Sequence, residues 1–104
     1  MIFSSDPARI LINLSDSLEN DGAGTYRYMG TWEMIDQIII NMNLLTCEHG
    51  FYTRHDLLKI FKADFLMKKD PKYPGYSPFA TYRGYKYQGG FSDHLPVLLD
   101  LKFR

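Results

Sequence analysis

Asp93 and His94 stand side by side at the start of an apolar run, Leu95 to Leu101, just after a flexible break at Gly89-Gly90. No other feature restricts the fold as much. Two ionisable side chains at the mouth of a buried strand are costly unless each finds a partner. A fold that accepts them must bring a second polar group to that strand. The same difficulty arises upstream, where Asp36 lies in an apolar run with Ile35, Ile38, Ile39 and Ile40. That run predicts a well-buried strand over Thr31 to Met42.

Asp36 reads two ways. It is an outward residue of a one-sided sheet, like Glu33 and Asn41, or it is a buried carboxylate that needs a partner. The obvious partner is His94, on a second strand that can lie beside the first. A carboxylate bonded to one imidazole nitrogen fixes the tautomer and raises the basicity of the other nitrogen. That makes Asp36 and His94 a candidate general acid–base pair. Asp93 then faces the same site from the next position, and its carboxylate suits a hard cation such as Mg²⁺.

The remaining chain reads as one small domain or part of one. Its 104 residues can bury a modest core. Twelve basic and twelve acidic residues cancel, so net charge gives no argument for bulk attraction to nucleic acid; a local basic patch stays open. A single cysteine, Cys47, excludes an internal disulfide framework and leaves the compartment open. Met1 to Pro7 has neither the basic nor the apolar region of a signal peptide. The longest apolar runs are far too short to span a bilayer.

Along the chain, Asp6-Pro7 reads as a cap and first turn. Ile10, Leu11, Leu14 and Leu18 then sit at helical spacing and predict a helix over Ala8 to Leu18. Thr25 to Tyr28 is β-prone and Gly30 breaks it. Thr53 to Leu66 fits a helix, and Leu57 to Phe61 within it fits a strand equally well. Lys68 to Pro78 holds three prolines and a glycine and reads as a long loop. Thr81 to Tyr87 alternates around Gly84 as a ribbon, and Leu95 to Phe103 reads as the last strand, with Val97, Leu99 and Leu101 on one face. The expected fold class is α/β, a mainly antiparallel sheet with helices on one face.

Three further groups bear on function. Cys47, His49 and His55 lack a second ligand pair at zinc spacing. Lys68, Lys69 and Lys72 read as a solvated loop rather than a phosphate clamp. Tyr82, Tyr85 and Tyr87, with Arg83 and Lys86, can stack on bases or sugar rings; ordinary Tyr pairs in a twisted hairpin are the simpler reading.

Ser92-Asp93-His94-Leu95-Pro96-Val97 resembles the closing motif of the endonuclease/exonuclease/phosphatase superfamily, the DNase-like metal-dependent phosphodiesterases. Met34-Ile35-Asp36-Gln37-Ile38-Ile39-Ile40 resembles that family's Ile-Asp-Tyr-Ile strand, in the right order and at the right separation. The stretches Gly24 to Gln37 and Tyr87 to Val97 resemble one bacterial subgroup. The likeness runs from about Leu11 to the C-terminus.

The resemblance implies that His94 is a general base or positions the attacking water, that Asp36 orients it, and that Asp93 helps hold Mg²⁺. It implies hydrolysis of a phosphodiester or phosphomonoester, with the metal polarising the phosphoryl group. The family's metal-binding Glu and its Gly-Asp-Phe-Asn motif have no counterpart here, so the chain is expected to be the C-terminal part of a two-sheet domain. A homo-oligomer, or pairing with an N-terminal half, would cover its inner face. The alternative is a catalytically silent remnant that serves as an oligomerisation module. Substrate identity is not legible, since specificity in such folds comes from loops.

Overall fold

The computed structural model describes Asp6 and residues 9–104. Among the described residues every strand pairing is antiparallel, and two short α-helices accompany the strands, as expected of a small α/β domain. The strands form six two-stranded ladders: β1 (Leu11–Asn13) with β4 (Ile39–Asn41), β2 (Tyr26–Tyr28) with β3 (Thr31–Glu33), and β5 (Phe51–Tyr52) with β12 (Lys102–Phe103). The others are β6 (Leu58–Ile60) with β11 (Val97–Leu99), β7 (Met67–Lys69) with β8 (Tyr76–Pro78), and β9 (Tyr82–Arg83) with β10 (Lys86–Tyr87).

The helix expected over Ala8 to Leu18 does not form among the described residues; Pro7 and Ala8 lie outside them. Leu11 to Asn13 is strand β1, and a helix, α1, occupies only Asp16–Asn20. The cause is tertiary. Ile12 lies opposite Ile40, and the ladder is extended by Leu14 N–H to the Ile38 carbonyl and Met42 N–H to the Ile10 carbonyl. Asn13 Oδ1 takes the Ser15 N–H at 3.0 Å, a local bond that competes with helix.

The strand expected over Thr31 to Met42 is broken between Glu33 and Ile39. Side chains replace the ladder there: Ile38 N–H donates to Ser15 Oγ, Asp36 N–H to Thr25 Oγ1, and Gln37 Nε2 to the Met34 carbonyl. Asp36 therefore sits in a bend, not in a strand. A second helix, α2 (Asn43–Thr46), follows β4. The last strand is likewise split, into β11 and β12. Lys68 to Pro78 is a hairpin rather than a long loop, with Pro71 and Pro74 in its connection and Pro78 ending β8 opposite Met67. Leu58–Ile60 takes the strand alternative.

Turn chemistry sets the β2–β3 hairpin. Met29 and Gly30 both have positive φ, 50° and 83°, the conformation that a two-residue hairpin turn with the native twist demands. The core lies around Leu14, Ile40 and Leu58, with Ile12, Ile38, Val97 and Leu99 against them and Leu18, Leu44 and Leu45 from the helices. Each fully buried Leu contributes about 1.5–3 kcal/mol. No helix among the described residues is long and apolar enough to cross a membrane.

Candidate active site

The site begins with Thr25, which is fully buried. Its N–H donates to the Glu33 carbonyl at 2.9 Å, and its own carbonyl accepts the Leu95 N–H at 2.7 Å. Thr25 thus ties the β2–β3 hairpin to the segment carrying His94. Next to it, Tyr26 forms an isolated antiparallel bridge with His94. The Tyr26 and His94 rings lie 5.2 Å apart between centroids, tilted by 38°. Leu95, 2% exposed, anchors the segment.

Asp36 and His94 meet. The Nδ1 of His94 lies 2.5 Å from Asp36 Oδ2, and Thr25 Oγ1 donates to the same oxygen at 2.7 Å. Burial alone would raise the Asp36 carboxyl. The hydrogen bonds from His94 and Thr25, with the field of the imidazole, outweigh it and hold the group below its ordinary value. Asp36 is therefore ionised at neutral pH and acts as an acceptor, which places the proton on Nδ1. Nε2 makes no hydrogen bond among the described residues; in the neutral imidazole it is the nitrogen that carries the lone pair. The pair lines an open groove of about 440 Å³ together with Gln37, Ser92 and Pro96.

Asp93 is exposed and sits on the other side. It lines a neighbouring cleft of about 340 Å³ with Tyr26, Arg27, Tyr82 and Arg83, not the groove of His94 and Asp36. Successive residues of an extended segment point to opposite faces. Mg²⁺ needs near-octahedral oxygen coordination, often from one or two carboxylates together with substrate phosphate. Asp93 offers one carboxylate, and among the described residues no three His, Cys, Asp or Glu side chains gather. The donor set present therefore falls short of a Mg²⁺ site on its own.

Two supporting residues have a role in the site that the sequence alone does not show. Thr25 orients Asp36, and Ser92 Oγ accepts the His94 N–H at 3.0 Å. The Met29-Gly30 turn carried the signal for the first, because it sets residue 25 across from residue 34, two positions from Asp36. Ser92, two residues before His94, is a short-range turn former.

Gly90 completes the approach. Its N–H donates to the Ala80 carbonyl, and the next two N–H groups, of Phe91 and Ser92, converge on the Phe79 carbonyl at 2.7 and 3.2 Å. A Cβ at position 90 would collide with the backbone of Phe79 and Ala80. Gly90→Ala should lower stability by about 1–3 kcal/mol and move the His94 ring resonances. A variant with an unchanged melt and unchanged His94 shifts would contradict this.

A family model described as the endonuclease/exonuclease/phosphatase family matches residues 4–103. No curated protein and no solved structure matches the chain.

Proposed function

Because the chain belongs to the endonuclease/exonuclease/phosphatase family, we propose that it is a fragment or subunit of a phosphoesterase in which His94 is the general base and Asp36 orients it. One observation carries the reading: His94 Nδ1 is held by Asp36 at 2.5 Å, and both residues line the open groove. Nε2 takes a proton from water as its oxygen bonds to phosphorus and the ester oxygen leaves. Asp36 holds the Nδ1–H and stabilises the imidazolium that forms, and Thr25 holds Asp36. Asp93, in the neighbouring cleft, would offer a divalent cation one carboxylate only. The proton chemistry at His94 needs only the residues named.

Purified chain with millimolar Mg²⁺ and bis(p-nitrophenyl) phosphate should turn over slowly, because a single carboxylate holds the ion poorly. The residual rate should drop about 100-fold in His94→Ala and in Asp36→Asn, the low end of what general acid–base catalysis supplies. Rapid turnover by the isolated chain would defeat the donor-set argument. A rate indifferent to both substitutions would remove His94 from the chemistry. The exposed apolar surface, with Leu11 71% and Ile39 59% accessible, favours a second reading, a silent module that acts by association. Assembly with no rate above background would support it.

A further inference from the structure

The pair of His94 and Asp36 stands half open. The histidine side chain is 35% exposed and the aspartate 44%, and a pair that water reaches is held weakly. The backbone under the imidazole is fixed on both sides: the His94 N–H donates to Ser92 Oγ, and the Leu95 N–H to the Thr25 carbonyl. The ring therefore hangs from a fixed Cβ, with its own torsions still to settle. The hydrogen bond to Asp36 Oδ2 settles where Nδ1 stands and leaves the plane of the ring free to tilt. Water in the groove also offers Nδ1 another partner, so other staggered rotamers compete. A second restraint is needed.

Tyr26 supplies one. It forms an isolated antiparallel bridge with His94, and side chains directly opposite in such a pair are neighbours. Their ring centroids lie 5.2 Å apart with a tilt of 38°, within the range of direct aromatic contact. Tyr26 is half-buried and well fixed itself. It lies opposite Glu33 in the β2–β3 ladder, and the next residue, Arg27, is paired with Asp70 and donates to the Tyr76 carbonyl of β8. Tyr26 also lines the cleft of Asp93, whereas His94 lines the groove of Asp36. The contact between the two residues is where these cavities adjoin.

We propose that Tyr26 is a positioning residue for His94: its ring packs against the imidazole and keeps it in the one rotamer that brings Nδ1 to Asp36. The ring does this and the hydroxyl takes no part. The effect on rate rests on the phosphoesterase reading; the effect on the imidazole rests on geometry alone.

Three-bond couplings from the backbone nitrogen and carbonyl carbon to His94 Cγ test it, because they report χ1 and do not respond to ring currents. They should show a single rotamer in the unaltered chain and in Tyr26→Phe, and averaged values in Tyr26→Leu. With bis(p-nitrophenyl) phosphate, Tyr26→Leu should lower kcat about tenfold at unchanged KM, the high end of what one aromatic contact supplies. Tyr26→Phe should keep the full rate. Tyr28→Leu, which removes an exposed ring from the same strand, should change neither rate nor couplings. The proposal is overturned by a single His94 rotamer in Tyr26→Leu, or by a raised KM with unchanged kcat, which would make the ring a substrate contact. Equal losses in Tyr26→Phe and Tyr26→Leu would give the role to the hydroxyl and overturn it too. The two readings fail separately. A chain without turnover removes the hydrolase and leaves the couplings to decide on Tyr26; turnover that needs His94 but not the Tyr26 ring keeps the hydrolase and removes the positioning role.

Discussion

Asp70→Ala should lower the unfolding free energy by about 3–5 kcal/mol, the cost of leaving one member of a buried ion pair without the other. The side chains of Arg27 and Asp70 are 8% and 5% exposed, with Arg27 Nη1 at 3.5 Å from Asp70 Oδ2. Arg27 also donates to the carbonyls of Pro74 and Tyr76 and to Ser77 Oγ, while its Nε is buried without a partner. The pair therefore fastens the β7–β8 hairpin to β2. Removing the carboxylate leaves a buried guanidinium uncompensated and frees the N–H groups of Lys72 and Tyr73. The Ser77 hydroxyl, then the Tyr73 and Lys72 N–H groups, hold Asp70 far below the usual carboxylate range, against the opposing effect of burial. A folded-state value below the unfolded one means that this stability is fully present above about pH 4 and fades only as pH falls further, through the folded value. Urea titrations followed by circular dichroism should give a large drop in midpoint for Asp70→Ala at pH 7. The gap between the two proteins should narrow as pH falls below 4. A loss under 1 kcal/mol at pH 7 would mean that water reaches the pair and screens it.

Local chemistry made part of the fold legible, and tertiary chemistry hid the rest. Gly30 and Gly84 mark hairpins because backbone with positive φ favours glycine, and both turns stand where those residues lie. The spacing of Ile10, Leu11, Leu14 and Leu18 is genuine, but it serves a strand and then a helix, not one helix. Pairing of Ile12 with Ile40 outweighs local propensity, and no window around Ile10 contains that information. The apolar run around Asp36 concealed a bend, because Thr25, Ser15 and the side chain of Gln37 satisfy the backbone in place of a neighbouring strand. The meeting of Asp36 and His94 could be argued from residues alone, since a partly buried acid and a histidine each need a partner. The buried pair Arg27–Asp70 could not. Asp70 sits among lysines and prolines, and composition there reads as solvent.

The last expectation concerns assembly. The accessible surface is 7514 Å², about 1,500 Å² more than a compact monomer of this mass exposes. The radius of gyration is 17.2 Å, against about 13 Å for a compact domain of this length. The excess is partly apolar. On the β1–β4 ladder, Leu11 and Ile39 point away from the core that Ile12 and Ile40 enter; Leu98 does the same on β11. A second copy of the chain, packed on the β1–β4 face, is the occupant that requires nothing beyond this sequence. An interface of about 1,600 Å² in total, with about 60% of it apolar, yields roughly 24 kcal/mol at about 25 cal/mol per Å². Association costs about 4–15 kcal/mol in lost rigid-body freedom, with side-chain ordering and polar desolvation in addition; a dimer at micromolar concentration needs a remainder of about 8 kcal/mol. Sedimentation velocity at 10 to 50 µM (about the range where such an affinity is half-saturated or better) should report a dimer. Ile39→Lys, on the outward face, should return it to monomer and make it melt at a lower temperature. A well-behaved monomer with a cooperative melt would mean that the exposed Leu and Ile side chains are tolerated in water, and the argument from excess surface would fail.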